Sequence, residues 1–316
     1  MIPSHQSLSV LQRRLVACVA ACILCLFLYQ SWILSPQFLF QSTPSTLPPT
    51  IPKTIWYKLG PKGLSENARN WTNSCIEKNP GYRTEFLTDE TADAWVQKSF
   101  TSRPDIVESY LNLTVPILKA DFLRYLLLYA EGGIWSDLDV SCEDTPIDDW
   151  IPAQYKGATS LVVGWEFDVG WGKNILHQLN SWMILAKPGL PHMLAAIDGI
   201  LGSLHEVASK NGVAIANVTL PMVGDVVDFT GPRRLTRSVF QTLQQKLNVT
   251  DDEFDPIEES TWFIREPKQV ADVLILPGYS FASSTNHYDK TDVVGPSLVT
   301  HHYAGSWKND HGGEEV

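Results

Sequence analysis

The sequence predicts an α/β fold built on a mainly parallel sheet, and three observations predict it. Strand-like and helix-like stretches alternate from residue 51 to residue 99. An apolar helical stretch, 116–130, runs into Gly132-Gly133 and then a short apolar strand. Two more apolar runs, 160–168 and 270–278, are separated by helical segments, the spacing that strand–helix–strand units produce.

Taken in order, the chain begins with a polar segment, 1–14, that ends in Arg13-Arg14. Residues 15–34 carry no charge and approach the roughly 20 residues needed to cross a bilayer. No Lys or Arg follows until Lys53, so the bias of positive charge puts 1–14 in the cytosol and the bulk of the chain in a lumen. An uncleaved transmembrane signal anchor is the favoured reading, because no small-residue cleavage site follows; a cleaved signal peptide is the alternative. Residues 35–50, rich in Ser, Thr and Pro, read as a stem. The body, 51–316, reads as one catalytic domain. Four Asn-x-Ser/Thr sites, at Asn70, Asn112, Asn217 and Asn248, suit a luminal chain. Cys75 and Cys142 are then either a disulfide or two buried thiols. The formal charge of −11 argues against nucleic acid as a partner.

Within the body, the first strand follows Pro52, and a helix covers 67–78. A second strand spans 82–87, and Thr88 offers an N-cap to a helix running to Ser99. The helix 116–130 is apolar except for Lys119, Asp121 and Arg124, the last two sharing a face at i and i+3. Gly132-Gly133 supplies positive φ at its end. Ile134-Trp135-Ser136 then delivers Asp137 and Asp139 at the C-terminal end of a strand, where open α/β sheets bind ligands. Residues i and i+2 of an extended chain face one side, so the two carboxylates are expected to converge on Mg²⁺ or Mn²⁺ shared with substrate phosphates. A strand follows at 160–168, carrying Glu166 and Asp168; then come a turn at Lys187-Pro188-Gly189 and a helix to about Leu204. Thr230-Gly231-Pro232 precedes a helix over 233–247, and the strand 270–278 precedes a His-rich tail.

The run Ala120-Asp121-Phe122-Leu123-Arg124, then Glu131-Gly132-Gly133-Ile134-Trp135-Ser136-Asp137-Leu138-Asp139, resembles the Asp-x-Asp core of glycosyltransferase family 32. Further matches follow in order: Lys53-Thr54-Ile55-Trp56, Ala186-Lys187-Pro188-Gly189, Thr230-Gly231-Pro232, and the stretch from His301 to Lys308. Within the family the chain is similar to the fungal initiation-specific α-1,6-mannosyltransferases of the Golgi. It departs from them at Trp135, where Tyr is usual, and at Asp228, where Glu is expected.

The resemblance implies a GT-A (Rossmann-like) fold, a nucleotide-sugar donor, a divalent cation (Mn²⁺ or Mg²⁺) and retention of configuration. It further implies GDP-mannose as donor, an N-glycan core on glycoproteins as acceptor, and a single-pass Golgi membrane protein able to associate with other Golgi glycosyltransferases. By the same resemblance Asp137 and Asp139 hold the metal, with His301 or His302 as a third ligand. Asp121 and Arg124 meet the donor's sugar and phosphates, unless they form only a helix-face ion pair. Trp56 stacks on the base, unless it is a core residue. Glu166, Asp168 and Asp228 lie near the reacting centre. A hexosyltransferase acting on a sphingolipid or another glycan, or a non-catalytic luminal binding protein, keeps the same fold.

Overall fold

The computed structural model describes residues 48–171, 176–249 and 256–305. The expected anchor (15–34) and most of the stem lie outside them, as do Thr250 of the fourth glycosylation motif and the closing Ser306-Trp307-Lys308. Among the described residues no helix is long and apolar enough to cross a membrane.

The strands are β1 (Thr54–Lys58), β2 (Arg83–Leu87), β3 (Gly133–Ser136), β4 (Val140–Cys142), β5 (Leu161–Phe167), β6 (Gln178–Leu179), β7 (Met183–Ala186), β8 (Lys268–Val270), β9 (Val273–Leu276) and β10 (Val299–His301). The main sheet has the order β2-β1-β3-β7-β5-β9-β8, with β6 pairing β5. From the pairings, β2, β1, β3, β5 and β9 run one way, and β7 and β8 run against them. The sheet is thus mixed but mainly parallel in direction. The apolar run 270–278 proves to be part of a hairpin: Ala271, at φ 48°, turns β8 into β9.

Side chains alternate across this sheet and feed two cores. Trp56, Trp135, Leu161, Val163 and Trp165 join one hydrophobic cluster, whereas Ile55, Tyr57, Ile134 and Val162 join the other. The helices are α1 (Glu66–Lys78), α2 (Asp89–Ser99), α3 (Pro104–Asn112), α4 (Pro116–Ala130), α5 (Pro191–Asn211) and α6 (Pro232–Leu247); α2 to α6 close the first core, with α4 central, whereas α1 gives Cys75 to the second. One helix start, at Thr88, matches the capping expected of its sequence, and the cap at Ser65 was not foreseen. Ser65 accepts from Ala68 N at the head of α1, and Thr88 and Thr91 cap α2 reciprocally. α5 passes the expected end near Leu204 and stops at Gly212, which is left-handed.

Gly132 and Gly133, at φ 68° and 99°, carry the chain from α4 into β3. A Cβ on Gly132 would lie 2.7 Å from Pro188 Cδ, and one on Gly133 would lie 2.6 Å from Thr54 O. Both glycines therefore serve conformation and close packing at once.

A small second sheet completes the fold. β4 and β10 pair antiparallel, with His301 opposite Val140. A disulfide joins Cys75 on α1 to Cys142 on β4, with Cα atoms 4.8 Å apart. That decides between the two states open for these cysteines.

Candidate active site

Asp137 and Asp139 lie in the turn between β3 and β4 rather than on a strand. The expected strand-end convergence is therefore replaced by separate partners for each. Asp137 Oδ1 accepts from Trp135 Nε1 at 2.6 Å and from Arg124 Nη2 at 3.2 Å. Asp139 Oδ1 stands 3.3 Å from His301 Nε2, and its Oδ2 accepts from Ala304 N at 3.1 Å. The turn itself is pinned to the sheet, because Asp137 N donates to Trp182 O.

α4 supplies the cationic side of the site. Arg124 Nη2 lies 2.9 Å from Asp121 Oδ1, and both side chains are almost wholly buried. Thr230, in the Thr-Gly-Pro segment, donates its hydroxyl to Asp121 Oδ2 at 2.7 Å. Burial works against the Arg124 charge, but the carboxylates of Asp137 and Asp121 outweigh it and hold the guanidinium above its ordinary range. Arg124 Nε and Nη1 remain buried without a hydrogen-bond partner. Two unpaired guanidinium donors beside an acidic turn suit a phosphate oxygen.

β10 supplies the imidazole. Successive residues of a strand point to opposite faces, so His301 and His302 part company. His301 is stacked on Trp182 (centroids 4.1 Å apart) and abuts Tyr303 (4.0 Å), and its Nδ1 is buried and unpaired. His302 stacks on Trp71 at 4.3 Å and lies 2.8 Å from Ser141 Oγ through Nε2. The geometry thus brings His301, not His302, to Asp139.

The donor set suits a divalent ion. An octahedral ion with bonds of about 2.1 Å places neighbouring donors about 3 Å apart. The Asp139–His301 separation of 3.3 Å is close to that. Burial pushes the Asp139 carboxyl up, but His301 and the Ala304 amide more than offset it and keep the group below the usual carboxylate range. Among the described residues no three His, Cys, Asp or Glu side chains form a closed metal cage. One carboxylate and one imidazole, with Asp137 adjacent, leave room for phosphate oxygens, which suits an ion shared with a substrate.

The comparisons agree with this arrangement. The family described as "Glycosyltransferase sugar-binding region containing DXD motif" matches residues 65–156, a span that holds α4, both glycines and the acidic turn. An initiation-specific α-1,6-mannosyltransferase of Schizosaccharomyces pombe is 32% identical over 82% of this chain and 64% of its own length. That of Candida albicans is 29% identical over 82% of this chain and 72% of its own. The chain is a glycosyltransferase of the Asp-x-Asp family. A solved structure titled "PaToxG Glycosyltransferase" aligns with a TM-score of 0.42 at 18% identity, covering 68% of this chain and 85% of that one.

The remaining expected residues fall in four places in the glycosyltransferase. Glu166 is buried on β5, where it accepts from Gln178 Nε2 at 2.7 Å; burial lifts its carboxyl to about 7, with Gln178 and His301 pulling back. It therefore belongs to the His301 side. Trp56 is a core residue: it is buried, and its Nε1 donates to Gly132 O at 2.8 Å, so its expected stacking on a base is not what this geometry offers. Asp228 is half-exposed on a short helical turn and is paired with Arg233 at 3.0 Å, away from the contacts of the acidic turn. Asp168 is fully buried, accepting from Phe263 N and facing His177, a structural role.

Trp182, Tyr303 and Gln178 were not expected from the sequence. No local pattern marks them; only the pairing of β10 with β4 and the packing of β7 under the turn reveal them.

Proposed function

We propose that this glycosyltransferase is a metal-dependent, retaining mannosyltransferase that moves mannose from GDP-mannose in α-1,6 linkage to an N-glycan core on glycoproteins. Its place is the Golgi membrane, held by residues 15–34 with the catalytic body luminal. The observation that carries the reading is 32% identity over most of the chain to an initiation-specific α-1,6-mannosyltransferase, combined with an Asp139–His301 pair next to an under-bonded Arg124. Matches to mannosyl phosphorylinositol ceramide synthases of Saccharomyces cerevisiae span only 30–35% of the chain. The longer match favours a glycan acceptor over a sphingolipid.

Departure of the nucleoside diphosphate leaves charge on its phosphates. Asp139 and His301, with Asp137 beside them, would hold a divalent cation, which would supply Lewis-acid stabilisation of that charge. Arg124 directs Nε and Nη1 at a phosphate oxygen, and Asp121 and Thr230 keep its fork from turning away. Trp135 and Arg124 orient Asp137 by hydrogen bonds already in place. Trp182 fixes the ring of His301 by stacking.

The test is transfer by the full chain in detergent, with GDP-mannose, Mn²⁺ and a high-mannose N-glycan, and the new linkage read by NMR. An α-1,6-mannosyl product is expected, lost in Asp139→Asn. A β-linked product, or turnover of UDP-glucose in preference to GDP-mannose, would overturn the reading.

A further inference from the structure

One exposed aromatic side chain, Tyr303, lies against His301 on the metal side, a second, Trp171, is tied to Thr285 beyond it, and nothing in the donor chemistry uses either. Tyr303 is 42% exposed and sits at φ 50°, a left-handed conformation rare for an aromatic residue. Its ring lies against His301. Its hydroxyl lies beside the side chains of Ser284 and Thr285, with Glu166 near enough to act on it electrostatically. Trp171 is 43% exposed. Its Nε1 donates to Thr285 O at 2.5 Å, and its ring meets Phe167 (5.1 Å) and His287 (5.6 Å).

Thr285 joins the two. Its hydroxyl donates to Glu166 O at 2.7 Å, and the neighbouring Asn286 donates to the same carbonyl at 2.8 Å. Asn286 Oδ1 accepts from the backbone of Asp168 and Val169, and Gly170 is packed so closely that a Cβ there would lie 2.5 Å from His287 Cβ. The segment bearing Trp171 is therefore zipped to the segment bearing Thr285. A continuous contact path runs from Asp139 through His301 and Tyr303 to Thr285 and Trp171. Arg124 joins the site through Asp137 instead, at the other carboxylate of the turn.

What this surface offers is ring faces and the hydroxyls of Tyr303, Ser284 and Thr285. Such groups suit a neutral sugar: its C–H face stacks on an aromatic ring while its hydroxyls bond at the edge. Phosphates have their own donors at Arg124. We propose that Trp171 and Tyr303 form the acceptor subsite, stacking on a neutral hexose ring of the acceptor glycan and bringing its hydroxyl toward the Glu166 side of the centre. This rests on the transferase reading above, which assigns the diphosphate to Arg124 and Asp139.

The experiment titrates the full chain in detergent with two probes by calorimetry: a mannose-terminated oligosaccharide released from an N-glycan, and GDP-mannose with Mn²⁺. Trp171→Ala and Tyr303→Leu are each expected to weaken the oligosaccharide about tenfold, the worth of one aromatic stack. GDP-mannose affinity is expected to shift less than about twofold. Trp171→Phe, which keeps a ring, restores most of the oligosaccharide affinity; this separates lost stacking from misfolding. Unchanged oligosaccharide binding in Trp171→Ala, or equal weakening of both probes, overturns the subsite. Wild-type protein that binds GDP-mannose and no oligosaccharide overturns the subsite alone. Wild-type protein that binds the oligosaccharide through Trp171 but no nucleotide sugar upholds the subsite and sinks the donor reading.

Discussion

Glu166, buried, and Asp139, partly buried, are carboxyls near the same imidazole, yet they are driven in opposite directions. Asp139 has His301 at 3.3 Å and a backbone amide at 3.1 Å, which together outweigh its burial. Glu166 has one amide donor, Gln178, and burial prevails, lifting it to about 7. The sign of the stability effect follows. A carboxyl raised in the folded state holds more protons there than in the unfolded chain between pH 4.5 and about 7. Its contribution is therefore fully present below the unfolded value and is lost as pH rises through about 7. With about 1.4 kcal/mol per unit, the loss is on the order of 3 kcal/mol for this buried side chain. Glu166→Gln keeps an acceptor for Gln178 and removes the charge. Urea denaturation of metal-free protein from pH 5 to pH 8 should show the variant gaining on the wild type by that order as pH rises. Parallel curves would mean that Glu166 does not ionise in this range.

At the scale of elements, the site depends on a two-stranded sheet that few residues hold. β4 and β10 are three residues each, and together they set Asp139 against His301. The disulfide fastens β4 to α1, and Ser74 on α1 also bonds Cys142 N through its hydroxyl. Replacing both Cys75 and Cys142 by Ser releases a loop of 67 residues, which the chain-entropy account values at about 4 kcal/mol. A fall of that order in urea stability is expected, with weaker Mn²⁺ binding as β4 loosens. Full stability in the double variant would make the bridge incidental. The elements differ in how well the sequence announces them, for a physical reason. α4 has Pro116 at its first position and Gly132 just past its end, so its bounds, 116–130, are local information. The pairing of β4 with β10 joins strands more than 150 residues apart and carries no local signature, so it was invisible. The choice between His301 and His302 depended on that pairing and could not be read without it. The deduction for Asp137 and Asp139 presumed strand geometry, whereas the chain makes a turn after Ser136. α3 also went unread, although Pro104 opens it and Ile106, Ser109 and Tyr110 share its buried face.

On the scale of the whole molecule, the chain carries a formal charge of −11 and must nevertheless hold a nucleoside diphosphate. The mean field opposes such a ligand, so attraction has to be local. Arg124 is the buried cation at the acidic turn, and it is already shared between Asp121 and Asp137. On the proposed reading a divalent ion would make the site attractive overall, and donor binding should then be inseparable from it. The consequence is measurable as linkage. A ligand at a hundred times its dissociation constant stabilises the folded state by about 2.7 kcal/mol. For a body of this size that is a rise of roughly 5–10 °C in Tm. GDP-mannose with Mn²⁺ should give a rise of that order, and chelator with GDP-mannose should give almost none. Asp139→Asn should abolish the shift, since it removes the carboxylate that His301 faces. Asp228→Asn should preserve it, because Asp228 is spent on Arg233 on an exposed turn. A full shift in chelator would place the attraction in the protein alone, and the charge argument would then be wrong.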